Sequence, residues 1–472
     1  MPDSAFNNAV QIPQTQQLPT SAGAAARLGS RTAPLNVIII ALGSAGDVHP
    51  FIGIGRTLRQ RGHQVSVCCS PAFEGLVARC GLRFLPIGTL QEYQAAMNDP
   101  AMWDPRTSLR TLWRVIADNL KPLFDLLARE VDDNTVMLGS LWAFSARLLQ
   151  ERYGVPLLTA QVSPSTLLSA HSPPTHKRFT IPAAMPVAMK SALLWLIERS
   201  VLDRICGPDL NRFRSELGLP PVHRIMGHWM HSPQGVLGLF PEWYAPPQRD
   251  WPPQVRLTGF PLFDEAEFHS LDAELQDFLD NGTAPIVFTP GSTMIDGPAF
   301  FGAAGATLRS LGRRGIYLAK DLAQTGPLPA DVCLRSYVPM SQLLPRSAAL
   351  VHHGGVGSTA LAFAAGIPQL ATPFAHDQFD NAERIQRIGC GRRLDAPVNG
   401  SDLLRALQPM LQDPAMAQTC ASIKARMPSS MQACDAAADA VEALAPLRRT
   451  AGVVRQNAGR VVTASPVGAD AE

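Results

Sequence analysis

Three pieces of one stretch decide the reading: Tyr337-Val338-Pro339-Met340, then Leu350-Val351-His352-His353-Gly354-Gly355-Val356-Gly357-Ser358-Thr359, then Pro373-Phe374-Ala375-His376-Asp377-Gln378. The apolar run Ala348–Val351 ends at His352 and a glycine cluster, and Ser358 then opens an apolar-periodic segment (Leu361, Ala365) that stops at Gly366-Ile367-Pro368. This pattern predicts strand, glycine turn, helix and turn. A glycine turn feeding a helix N-terminus presents free backbone N–H groups and the positive end of the helix dipole, and both favour an anionic ligand. His352 is expected at the carboxyl end of the strand, where open α/β sheets bind ligands. Glycine turns also occur simply to let strand and helix pack closely, so the glycines alone leave both readings open.

Taken together, the three pieces resemble the nucleotide-sugar signature of the family-one glycosyltransferases. From about Leu35 to Leu444 the chain resembles the rhamnosyltransferases that make mono-rhamnolipid. The resemblance implies an α/β protein of GT-B fold, with two Rossmann-like doubly wound domains facing across a cleft. It implies dTDP-L-rhamnose as donor, a 3-(3-hydroxyalkanoyloxy)alkanoate lipid as acceptor, and no cofactor besides the nucleotide-sugar co-substrate. By the same analogy a partner protein could supply the hydroxyacyl acceptor. Transfer of another sugar to a sterol or macrolide, a catalytically silent GT-B protein and a nucleotide-sugar epimerase are the competing readings.

A chain of 472 residues exceeds one typical hydrophobic core, so two domains plus tails are expected. Hydrophobic residues at 46% against 17% charged suit a globular protein, and a net charge of +2 argues against an extended nucleic-acid footprint. The 8 cysteines are scattered, and the close pair Cys68-Cys69 is adjacent rather than spaced. No zinc or disulfide framework follows, and a reducing cytosol fits. Met1–Pro34 lacks a basic start and an apolar core and is expected to be a disordered leader, as is the tail 448–472. No run is long and apolar enough to span a bilayer. The segment Ala183–Leu202 could touch a membrane surface peripherally, although a core-facing helix is the plainer expectation.

In chain order, Asn36–Leu42 is a continuous apolar run of the buried parallel type, followed by the turn Gly43–Gly46 and a helix to Arg61. Gln64–Cys69, Arg83–Ile87, Thr135–Gly139, Pro156–Ala160, Gly235–Leu239 and Gln254–Leu257 continue a βαβ rhythm. This sets an acceptor-binding domain at 35–260, a linker at 261–284 and a nucleotide-sugar domain at 285–447. Strands of the second domain are expected at Ile286–Thr289, Gly315–Leu318, Val332–Arg335, Ala349–His352 and Gln369–Ala371, with helices from Ser401 to Ala445 closing it. The insertions between the first-domain units carry Trp103, Trp142, Met185 and Met189. Each reads either as a core contact or as part of a wide apolar acceptor cleft, where methionine adapts to a flexible chain.

Glycosyl transfer needs a diphosphate anchor, contacts to the sugar and a base. The chain has no Asp-x-Asp pattern, so no metal ligands are expected on the diphosphate. The donor set is instead His352, Gly354, Gly357, Ser358 and Thr359, with Ser292 and Thr293 in the turn after the first strand of the second domain. Helix capping explains Ser292-Thr293 equally well. The resemblance places Tyr337-Val338 against the nucleobase and Asp377-Gln378 on the sugar hydroxyls; Asp377-Gln378 also suits a helix N-cap. Uridine and thymidine stay open, because plant members carry Trp and Gln where this chain has Tyr337 and Met340. The turn Gly43–Pro50 contributes Ser44 and Gly46 to the donor and, by family position, the base. Asp47 takes that role first and His49 second, while Asp47 could also merely cap its helix.

Overall fold

The computed structural model describes residues 33–177, 180–291, 297–319, 325–395 and 397–445. The expected leader, apart from residues 33 and 34, and the whole of the expected tail fall outside them. The described residues from Pro34 onward belong to one compact unit.

The first domain holds a seven-stranded sheet of β1 (Asn36–Ile40), β2 (Gln64–Cys69), β3 (Arg83–Pro86), β4 (Thr135–Gly139), β5 (Leu157–Gln161), β6 (Val236–Gly238) and β7 (Val255–Leu257). Its order is β3-β2-β1-β4-β5-β6-β7, all parallel. The second domain holds β8 (Ile286–Thr289), β9 (Gly315–Leu318), β10 (Val332–Arg335), β11 (Ala349–His352), β12 (Gln369–Ala371) and β13 (Gly391–Arg393) in the order β10-β9-β8-β11-β12-β13, again parallel. Central strands such as β4 and β5 are buried at every residue, which is why they read as largely apolar runs without polar alternation. β13 escaped the sequence because Gly391-Arg392-Arg393 has no apolar run and sits at a sheet edge.

Each sheet reverses its winding once, between β1 and β4 and between β8 and β11. Ligands of doubly wound sheets bind beyond the carboxyl ends of strands at such points. The turn after β1 and the turn after β11 meet there: a Cβ built on Gly357 lies 3.8 Å from the Cα of Gly46.

Two expectations about boundaries are corrected. The helix Ala273–Asp280, inside the expected linker, buries Leu275 and Leu279 in the core that surrounds β8 and β9, so it belongs to the second domain. The last helix, Ser430–Glu442, does not close the second domain. It crosses back, and Cys434, Ala437, Ala438 and Val441 pack into the first-domain core with Val48, Ile52 and Leu58. Its outward acids hold Arg61 and His63, with Glu442 Oε1 2.9 Å from His63 Nε2 and Asp435 2.6 Å from Arg61. A second seam is aromatic: Trp243 and Tyr244 of the first domain stand edge-on to Phe363 of the second, at centroid distances of 5.2 and 5.9 Å.

Candidate active site

A cavity of about 900 Å³ lies between the two sheets and is lined from both domains. On the first-domain wall, β1 runs through Gly43 into the helix Ala45–Gln60, with Ser44 at its N-cap and Asp47 in its first turn. Asp47 Oδ2 accepts the Ser44 N–H at 2.8 Å and the Ser44 hydroxyl at 3.0 Å. The cap and the cleft therefore share one carboxylate: Oδ2 is committed to Ser44, while the side chain still lines the cavity and keeps partial solvent access there. Burial raises the Asp47 pKa, and the two Ser44 hydrogen bonds pull it the other way. Gly43 makes this placement possible, because its φ is +131° and a Cβ there would fall 2.4 Å from Asp47 Oδ2.

His49 lines the same cavity but is engaged elsewhere. Its ring stands edge-on to Phe73 and Phe263, at 6.3 and 5.9 Å, and Nε2 lies 3.9 Å from Glu265. Burial lowers its pKa, against the pull of Glu265.

On the opposite wall the helix Val356–Ala365 starts after Gly355, and Gly357 and Ser358 of its first turn face the cavity. Its opening N–H groups have no intrahelical partners and present a positive end to the cleft. Here one expectation is corrected. His352 is fully buried beneath the turn, where Nε2 meets Gln369 Oε1 at 3.1 Å and Nδ1 accepts the Gly354 N–H at 3.2 Å. His353, the first residue beyond the strand, is the histidine on the wall, wedged where a Cβ on Gly291 or Gly355 would strike its ring. Its Nδ1 is buried without a hydrogen-bond partner, and burial lowers its pKa to about 4.

Gly354 and Thr359 also lie behind the wall rather than on it. Gly354 takes φ +87° with Gln378 O pressed against the place of a Cβ, and Thr359 is fully buried. Asp377 and Gln378 line the cavity. The side-chain Oε1 of Gln378 accepts the N–H groups of Phe374 and Ala375, both at 3.0 Å, so it shapes its own loop. Burial raises the Asp377 pKa to about 6, and the charge of Asp47 across the cleft adds to the shift.

Behind Asp377 stands Asn381, which the sequence reading did not single out. Its Nδ2 donates to Asp377 Oδ2 and Gly354 O, each at 2.9 Å, and its Oδ1 accepts the Tyr244 hydroxyl at 2.8 Å. Tyr337 and Val338 reach the cavity beside the interdomain segment, where the Tyr337 hydroxyl donates to Asp264 O at 2.5 Å. Ser44, Gly46, Trp103 and Trp142 line the cavity as expected residues of the cleft. Met185 and Met189 do not: Met189 is 57% exposed at the surface, and Met185 is outside the lining. Ser292 and Thr293 lie outside the described residues. Among the described residues no group of three His, Cys, Asp or Glu side chains is arranged for a metal ion.

Comparison with known proteins agrees with this architecture. Residues 37–172 match the glycosyltransferase family 28 N-terminal domain, and residues 316–443 match the erythromycin biosynthesis protein CIII-like C-terminal domain. O-mycaminosyltylonolide 6-deoxyallosyltransferase of Streptomyces fradiae is 31% identical over 411 residues, covering 81% of this chain and 91% of that protein. A sterol 3-beta-glucosyltransferase of Leptosphaeria maculans is 27% identical over 79% of this chain and 26% of its own length. Among solved structures, the glycosyltransferase of kitacinnamycin superposes with a TM-score of 0.68 at 21% identity, covering 88% of this chain and all of that one. The spinosyn rhamnosyltransferase SpnG complexed with thymidine diphosphate gives 0.57 at 19% identity, over 84% and 98%. With two facing Rossmann-like domains and a relative of this identity spanning most of both chains, the protein belongs to the family-one glycosyltransferases of GT-B fold, enzymes that transfer a sugar from a nucleotide donor.

Proposed function

We propose that the protein moves L-rhamnose from dTDP-L-rhamnose to the hydroxyl of a 3-(3-hydroxyalkanoyloxy)alkanoate, giving mono-rhamnolipid, by one inverting displacement that needs no metal. The observation that carries this reading is the two-part character of the cavity. Its polar end gathers Asp47, His353, Ser358 and Asp377, whereas Leu112, Ile116, Leu120 and Leu123 of one long helix line an apolar lobe suited to acyl chains. Asp47 takes the proton of the acceptor hydroxyl as that oxygen bonds to the anomeric carbon. The bond from that carbon to the diphosphate breaks, and the leaving charge develops toward the Gly357–Ser358 N–H groups and His353. Preorganised donors of this kind stabilise a transition state by several kcal/mol each. The thymidine diphosphate held by the fold neighbour SpnG supports a thymidine donor.

A second reading, transfer to a macrolide or sterol, is favoured by the names of the deoxyallosyl- and sterol glucosyltransferase relatives. The deciding assay offers dTDP-L-rhamnose or UDP-glucose with chelator present, against the hydroxyalkanoyloxyalkanoate, a macrolide and a sterol. Rhamnosyl lipid formed in chelator supports the proposal. Exclusive transfer to the macrolide or sterol replaces it with the second reading, and dependence on added metal overturns the metal-free step.

A further inference from the structure

The helix Val187–Ile197 is built inside out. Lys190 is its one buried residue and donates to the Ala183 carbonyl at 2.9 Å, whereas Trp195 and Leu196 are each 53% exposed. Val187, Met189 and, just beyond the helix, Val201 are exposed as well. An apolar helix face turned away from its own core needs an external apolar phase.

Two observations identify that phase. Of the eight Lys and Arg in residues 177–224, Lys190 and Arg214 are buried, whereas Arg199, Arg204, Arg212 and Arg224 are exposed; of the four Asp and Glu there, only Glu216 is exposed. Three of the four acids are already paired, Glu198 with Arg224, Asp203 with Arg199 and Asp209 with Arg212, and Arg204 is exposed. An apolar face rimmed by excess cations is complementary to an anionic lipid surface. The helix is also continuous with the cavity. Leu202, where this segment runs on into the helix Asp203–Glu216, lines the cavity, and Asp203 next to it holds the N–H groups of Arg224 and Ile225 at 2.9 and 3.0 Å, beside the cavity residue Met226.

We propose that the Val187–Val201 surface lies on an anionic phospholipid membrane, with Trp195 and Leu196 in the interfacial layer, so that an acceptor dissolved in the bilayer enters the cavity past Leu202. The purpose assigned to this surface rests on the lipid-acceptor reading, but its test reads binding rather than transfer. Full-length protein is mixed with vesicles of phosphatidylcholine alone, or of phosphatidylcholine and phosphatidylglycerol in equal parts, and floated. The wild type is expected to float with the anionic vesicles and to release in high salt. The double change Trp195→Ser with Leu196→Ser is expected to weaken partitioning at least about tenfold while melting temperature and transfer to a short-chain acceptor in solution hold. Arg204→Glu, which leaves the apolar face intact, should weaken binding to the anionic vesicles and so covers the case in which the serine variant misfolds. No flotation of the wild type, or flotation unchanged in a folded serine variant, overturns the proposal. So does a wild type that is dimeric in light scattering, does not float, and becomes monomeric in the serine variant. Flotation that persists while transfer to every acceptor fails supports the membrane surface and sinks the proposed reaction.

Discussion

Asp47 is asked to do two jobs, capping its helix and facing the cleft. Oδ2 caps the helix through Ser44, and the side chain still faces the cleft. Replacing it with Asn keeps a cap acceptor and removes the base, so kcat should fall by about 10²–10⁴-fold with little loss of stability. His49→Ala should stay within about tenfold, or about 1.4 kcal/mol of barrier, because His49 spends its ring on Phe73, Phe263 and Glu265. Full activity in Asp47→Asn with a dead His49→Ala would reverse the assignment. The pH dependence follows from the sign of the shift. The base works ionised and burial raises its pKa, so kcat/KM should drop as pH falls through a value above the ordinary ~4 of a carboxylic acid. That acid limb should survive Asp377→Asn and vanish with Asp47→Asn. Gly43→Ala tests the placement itself, since its Cβ would displace the carboxylate. A displacement of about 1 Å costs on the order of a hundredfold in kcat. Near-normal turnover in this variant, measured with the fold intact by circular dichroism, would mean the carboxylate position is not critical.

The glycine turn and helix after β11 were legible as an element; which of its residues meets the cleft was not. Two adjacent histidines follow an apolar run, and a string of letters does not say where the sheet ends. The strand includes His352, which pairs level with Thr289 and Ala371 inside the sheet, and only the residue beyond it can reach ligand. The loop after β12 shows the same division. Asp377 and Gln378 stood out by resemblance, but the residue that fixes them is Asn381, whose fully buried amide joins Asp377, the Gly354 turn and Tyr244. Asn381→Leu leaves a carboxylate and a carbonyl buried without that partner. We expect a loss of about 2–4 kcal/mol by denaturant unfolding and a larger rise in donor KM than fall in kcat. An unchanged donor KM in the folded variant would reduce Asn381 to a purely structural residue.

At the scale of the molecule, the two sheets are tied by the last helix and by the Trp243–Tyr244–Phe363 seam. Ser430–Glu442 reads as one more closing helix of the second domain because it is rich in small residues. Those residues, Ala437 and Ala438 among them, are what let it lie close on the first-domain core. Ala438→Asp would bury an unpaired carboxylate in that joint and is expected to cost about 3–5 kcal/mol. Differential scanning calorimetry should show the main transition lowered. A melting temperature equal to wild type would show that the helix does not hold the domains.

By itself the sequence determined the βαβ rhythm of both domains and the two turns that face each other. Apolar run length, glycine position and helix caps are local signals, and a parallel sheet buried on both faces makes them strong. The tertiary structure alone decided which histidine faces the donor, that Asn381 anchors Asp377, and that the final helix returns to the first domain. It also turned Met189 and Trp195 outward, where the pattern suggested cleft or core. These outcomes depend on partners hundreds of residues away, and a short or small-residue segment carries too little periodicity to announce which surface it will cover.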